Sequence, residues 1–191
     1  MSSSSRAELK RVIELALRAP SVHNTQPWLW RIVDGATLEL YADRTRQLAV
    51  ADPDGRNLVV SCGAALHHVV QAAEAIGLTP AVDLVPIPSE PELLARIQFS
   101  PGPVPRRAAE RLHALESRCT DRRRFTAWPV PDTRLTRLAE SASGWGASAI
   151  PVTDVTARFR VELLLERAMM MQAADGRFAE EQAGWIERGG P

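Results

Sequence analysis

The sequence predicts an α+β fold, and three observations carry that expectation. Apolar residues recur at helical spacing ahead of Pro20, two alternating runs meet at Asp34-Gly35, and a long, broadly apolar helix opens after Asp52-Pro53. With 191 residues, 45% of them hydrophobic and 24% charged, the chain is long enough to bury a core in one domain or two small ones.

Leu9, Val12, Ile13, Ala16 and Leu17 predict a helix over about Ala7 to Ala19, stopped by Pro20, which disfavours helical geometry in the residue before it. A polar loop follows. Trp28 to Val33 and Thr37 to Tyr41 then read as two strands joined in a hairpin, with Trp28 and Trp30 as packing residues. Asp52-Pro53 reads as an N-cap with proline in the first turn of a central helix that ends at Gly77. Leu58, Val59, Cys62, Leu66, Val69, Val70, Ala73 and Ile76 cover more than one of its faces, which predicts extensive burial.

Seven prolines lie between Thr79 and Pro105, around two strand-like pieces, Ala81 to Val85 and Leu94 to Phe99. This stretch is the expected boundary between a first half, residues 6–105, and a second, residues 106–191. The second half reads as a helix to Ser117, an arginine-rich segment from Arg118 to Phe125, a helix from Thr133 to Ser143, and a strand near Ala149 to Thr153. Helices over Thr156 to Ala173 and Asp175 to Glu187 complete it. Met169 to Met171, on an apolar stripe with Leu163, Leu164 and Leu165, are expected to pack in a core. Leu9, Val12, Ile13 and Ala16 overlay on Leu135, Leu138, Ala139 and Ala142 at a constant offset of 126 residues, a weak internal repeat.

Twenty-three basic and 23 acidic residues cancel, so no whole-chain field steers the protein to nucleic acid or an anionic membrane. Lys10 is the one lysine, leaving the other cations as planar guanidinium forks suited to phosphate. Cys62 and Cys119 lack the spacing of a disulfide framework or zinc site. His67 and His68 cannot both point one way on a helix, His23 and His113 stand alone, and no metal site is expected. The polar start, Met1 to Ser5, and the lack of a long apolar run predict a soluble cytoplasmic protein with no signal peptide or membrane span.

The segment Ala19-Pro20-Ser21-Val22-His23-Asn24-Thr25-Gln26-Pro27-Trp28 is a polar loop pinned by two prolines. Its hydroxyl and amide groups suit a heterocycle with several carbonyl and imide groups, or they satisfy the loop's own backbone. The arginines from Arg118 to Arg124 suit a phosphate grip, but taken by themselves they read first as an ordinary solvated run.

This loop resembles the APSxxNxQPW signature of the FMN-dependent nitroreductase family, in a matching helix-loop-strand context. Asp52-Pro53-Asp54-Gly55 through Gly77-Leu78 is similar to that family's central helix. Arg118-Cys119-Thr120-Asp121-Arg122-Arg123-Arg124-Phe125 with Pro129-Val130-Pro131 resembles its RRSxRxF…PVP segment, with one extra residue before Phe125. The loop precedes the arginines, as in the Acg-type branch, whose chains fuse two halves into an internal pseudo-dimer. Asp43-Arg44 with Gln47-Leu48, and Ser61-Cys62-Gly63-Ala64-Ala65-Leu66-His67-His68, are also like that branch.

The resemblance implies α-β-α layers, a mostly antiparallel sheet with helices on both faces, and an incomplete, apparently truncated second half. It implies FMN as cofactor and NAD(P)H as electron donor, with a quinone or nitroaromatic as the small-molecule acceptor. By the same resemblance Arg118, Thr120 and Arg122 hold the phosphate, and Pro20, Ser21, Val22, His23, Asn24 and Gln26 form the wall beside ring and ribityl. Redox chemistry then sits on the flavin, with no catalytic side chain. Gly144-Trp145-Gly146-Ala147 stands where a second loop is expected, so one flavin per chain is implied. Cys119 is either a reactive thiol beside arginines or a replacement for one of them. A protein that sequesters flavin without turnover is the alternative function. A nucleic-acid binder is disfavoured by the neutral net charge, and a monomeric pseudo-dimer is implied, with association of copies if the second half is incomplete.

Overall fold

A computed structural model describes residues 3–121, 123, 129–143 and 146–188. The elements are α1 (Ser3–Ala16), β1 (Trp28–Ile32), β2 (Thr37–Ala42), α2 (Arg56–Ala75), β3 (Leu78–Leu84), β4 (Leu93–Pro101), α3 (Ala108–Ser117), α4 (Asp132–Ser143), α5 (Val155–Ala174) and α6 (Gly176–Arg188). This is the expected α+β architecture, a four-stranded antiparallel sheet in the order β1-β2-β4-β3 flanked by helices.

Helix α1 stops before Leu17 because Pro20 forces its approach out of helical geometry, and Arg18 and Ala19 close tight turns onto the Leu15 and Ala16 carbonyls. The hairpin forms as expected, with the Asp34 carboxylate accepting from the Ala36 N–H at 2.8 Å and the Thr37 hydroxyl at 3.2 Å.

The start of α2 differs from expectation. Asp52 is not the N-cap residue, since a turn from Asp52 to Gly55 intervenes and Gly55, at φ +70°, occupies that position. Asp52 still caps the helix from farther back, its carboxylate accepting from the Asn57 and Leu58 N–H groups at 3.0 and 2.9 Å. Gly77, at φ +83°, ends α2 in the left-handed conformation that glycine adopts without a Cβ clash.

Strand alternation puts Leu38, Leu40 and Ala42 of β2 and Leu93, Ala95, Ile97 and Phe99 of β4 on the buried face. Helix α2 packs there through Leu58, Cys62, Ala65, Val69, Ala72 and Ala73, and its small side chains allow close approach of sheet and helices. Helix α1 contributes Leu9, Val12, Leu15 and Ala16, α3 adds Leu115, and Trp28 is buried as anticipated. Each fully buried leucine contributes about 1.5–3 kcal/mol. The Pro-rich stretch is thus more than a connector, because β4 is an inner strand with neighbours on both sides.

The sheet's other face carries an unanticipated buried charge. Glu39, 1% exposed, accepts from the Arg96 Nε at 2.9 Å, the Arg31 Nε at 2.8 Å and the Tyr41 hydroxyl at 3.0 Å. A carboxylate withdrawn from water needs such partners on both oxygens.

The chain divides into two compact units, Met1–Thr120 with Glu180–Pro191, and Asp121–Ala179. Within the second, residues 147–153 form no strand, which corrects the expectation for Ala149 to Thr153, and no other strand lies among that unit's described residues to pair with one. The expected core packing of Met169 to Met171 is also corrected, because all three are about two-thirds exposed, with Leu163, Leu164 and Leu165 also exposed. The described residues of that unit offer α4, α5 and the first turn of α6 to cover them, too little to enclose a helix that is apolar on several sides. No helix among the described residues is long and apolar enough to cross a membrane.

Candidate functional site

The loop between α1 and β1 is a closed knot. A single 3-10 turn spans Val22–Asn24, and the Asn24 and Thr25 N–H groups donate to the Ser21 and Val22 carbonyls at 3.1 and 3.0 Å. His23, Asn24 and Gln26 have φ of 49°, 56° and 48°, the left-handed region. Asn visits that region readily, whereas Gln does so at a cost of roughly 1–2 kcal/mol. Local bonds hold Gln26 there, since its N–H donates to the Ser21 Oγ at 2.9 Å and its Nε2 to the Asn24 Oδ1 at 3.2 Å.

Neighbouring elements clamp this knot. The Ser61 Oγ of α2 accepts from the Val22 N–H at 3.3 Å, and the Cys62 thiol donates to the Pro27 carbonyl at 3.1 Å. From the turn after β2, Arg46 donates to the Thr25 carbonyl at 3.0 Å and is itself steadied by Asp43 at 3.5 Å. Burial pushes the Cys62 thiol up to about 12, against a weaker opposing pull from the Arg44 charge, so it stays a neutral donor.

The arginine segment meets the loop's approach. The Arg118 Nε donates to the Arg18 carbonyl at 2.6 Å, and Arg18 donates back to the Glu116 carbonyl at 2.8 Å. Arg11 also pairs with Glu116. These contacts seat residues 116–118 two positions before Pro20. The Arg118 NH1 reaches toward the Thr120 hydroxyl at 3.4 Å, leaving NH2 of the half-buried guanidinium uncommitted in these bonds. His68, buried nearby on α2, is held below the ordinary histidine range, first by burial and further by the charges of His67 and Arg118. Its Nδ1 lies 3.0 Å from the Ala64 carbonyl.

Of the residues singled out in the sequence, Ser21, Asn24 and Gln26 share one hydrogen-bonded cluster, Val22 is tied to Ser61, and His23 is half-buried. Pro20 is exposed at the loop's entrance, Arg118 stands at the preceding turn, and Thr120 lies beside Arg118. Arg122 falls outside the described residues. Sequence reasoning missed the clamping roles of Ser61, Cys62 and Arg46. The polar Ser61 at a buried position of a largely apolar helix was an available signal. Among the described residues no group of three or more His, Cys, Asp or Glu side chains is placed to hold a metal ion.

No protein-family model matches the chain. It is 38% identical over 183 residues to Mycobacterium tuberculosis H37Rv Rv3131, provisionally named an NAD(P)H nitroreductase, covering 95% of this chain and 52% of that protein. It is 41% identical over 131 residues to the M. tuberculosis protein acg, with the same provisional name, covering 66% of this chain and 39% of that one. Among solved structures, a Desulfovibrio desulfuricans nitroreductase-type protein in complex with FMN aligns at a TM-score of 0.42 and 16% identity, over 69% of this chain and 87% of that chain. The chain spans about half the length of Rv3131. The likeness to Rv3131 along nearly all of this chain, with the antiparallel sheet flanked by helices, supports a nitroreductase-type fold.

Proposed function

We propose that this chain is a nitroreductase-family flavoprotein of the Acg-like branch that binds one FMN between its proline-flanked loop and its arginine segment. The observation that carries the reading is the Arg118 to Arg18 bond, which brings two motifs a hundred residues apart to the same turn. The relatives' names support a nitroreductase assignment over a purely structural role.

The donor set suits FMN. Arg118 and the Thr120 hydroxyl offer forked and single donors to a phosphate dianion. In the loop the Asn24 Oδ1 is occupied by Gln26, so its Nδ2 hydrogens remain to donate. The Ser21 Oγ accepts from the Gln26 N–H and keeps its own proton for a ligand carbonyl. Pro20, Val22 and His23 complete the wall. Bound FMN would supply the redox chemistry between NAD(P)H and a quinone or nitroaromatic. The protein's part is to orient that group and place N–H donors and positive charge beside it. Residues 6–105 are read as one family half and 106–191 as part of a second, an arrangement supported by the α1 and α4 sequence repeat and suited to a cytoplasmic pseudo-dimer.

The test is to purify the whole chain, titrate it with FMN, and mix the complex anaerobically with NADH or NADPH. Bound flavin that loses its visible absorption supports the oxidoreductase. Bound flavin that never bleaches assigns the protein to flavin sequestration. FMN affinity unchanged in both Arg118→Ala and Asn24→Ala overturns the site.

A further inference from the structure

We propose that Ser61 of α2 is a positioning residue for the candidate flavin loop, a role that rests on the reading of that loop as the flavin wall. Ser61 and His68 are the two polar residues among the buried positions of α2. The Ser61 hydroxyl donates to the Asn57 carbonyl at 2.7 Å, one turn back, which consumes its single proton and fixes its rotamer. Its lone pairs then face the Val22 N–H at 3.3 Å. A serine that only filled space against the core would be replaceable by alanine. This one supplies an acceptor to the first residue of the turn.

That acceptor sits where the loop is most constrained. Immediately after Val22, His23 and Asn24 enter the left-handed region, and Gln26 joins them. Such a run relaxes toward extended backbone unless both ends are held. Arg46 holds the Thr25 carbonyl, and the Cys62 thiol and the Asp43 N–H hold the Pro27 carbonyl, all on the downstream side. Ser61 holds the upstream side. It therefore decides whether Ser21 and Asn24 present their free donors together, while touching no ligand itself.

At 3.3 Å its bond to Val22 is long, so its loss costs little global stability and shows instead in ligand affinity. The test compares wild type with Ser61→Ala, Ser61→Thr and Ser61→Val, since threonine and valine share a shape and differ in the hydroxyl. Two readouts are taken, the FMN dissociation constant and hydrogen exchange at the Val22 amide in the flavin-free protein, with thermal melting as a folding control. Expected is a roughly fivefold weaker FMN affinity and faster Val22 exchange in the alanine and valine chains, with threonine close to wild type. Equal affinity in all four chains overturns the positioning role and leaves the flavin reading standing. If wild type binds no FMN, the flavin reading fails by itself. Val22 exchange then still decides whether Ser61 holds the loop, and an unchanged rate overturns that too. Should valine fail to fold, the alanine and threonine pair carries the same contrast.

Discussion

The guanidinium of Arg118 donates through Nε to the main-chain carbonyl of Arg18 at 2.6 Å, and the side chain of Arg18 answers by donating to the Glu116 carbonyl at 2.8 Å. This reciprocal lacing joins the end of α3 to the turn that leads into the polar loop. A side chain that bonds backbone across the fold in this way organises two segments at once. The remaining edge of Arg118 is thereby aimed by bonds that do not depend on any ligand.

Replacing Arg118 by alanine is expected to lower stability by about 1 kcal/mol, since the bond is charge-assisted but partly open to solvent. Arg118→Lys restores the charge without the fork and should not restore FMN affinity. Urea unfolding and FMN titration of both variants check this, and full recovery by lysine contradicts the forked geometry.

Gly55→Ala tests the entry to α2. A Cβ at this φ of +70° collides with the Arg44 NH1, and Arg44 is itself held by Glu92 at 2.9 Å. Left-handed alanine costs about 1–2 kcal/mol, while loss of the exposed Arg44–Glu92 pair adds little. In a double-mutant cycle with Arg44→Ala only the steric part should be relieved. Complete recovery in the double variant would show that backbone conformation contributes nothing.

Glu39 predicts an acid limb of stability. Burial alone would raise its carboxyl, but the hydrogen bonds from Arg96, Arg31 and Tyr41 outweigh that and hold it below the ordinary carboxylate range. Because the folded value lies below the unfolded one, the stabilisation is complete above the unfolded value and is lost as pH falls through the folded one. Glu39→Gln should remove about 2 kcal/mol at neutral pH and flatten the acid limb. Denaturation midpoints across that pH range give the answer, and parallel curves for the two proteins count against it.

The two thiols should separate cleanly under a thiol-reactive dye at neutral pH. Cys119 is exposed, whereas Cys62 is buried, bonded to the Pro27 carbonyl and raised to about 12. One fast equivalent per native chain is expected, rising to two in denaturant. Fast modification of Cys62 in the native protein would contradict the clamp on the loop.

Much of this structure was legible from local sequence. The periodicity of Leu9, Val12 and Ala16, the Asp34-Gly35 turn, and Gly77 after a long apolar run each report on neighbours within a few residues, and each corresponds to an observed element. The errors have physical causes too. A strand at Ala149 to Thr153 needs a partner strand, and the described residues of its unit supply none, while Met169 to Met171 needed surrounding elements to become core. Asp52 caps a helix that begins one turn later than its own position indicated, because Gly55 permits the intervening turn.

Backbone preference and apolar spacing act over one or two turns, so the order of residues already announced most helices, the hairpin and the rigid loop. Folding as a whole was needed to bring Arg118 to Arg18 across 100 positions, to set Ser61 against Val22 across 39, and to bury Glu39 between two arginines. Those relationships depend on strand register and on how helices close over the sheet, and such long-range geometry has no local residue pattern to announce it.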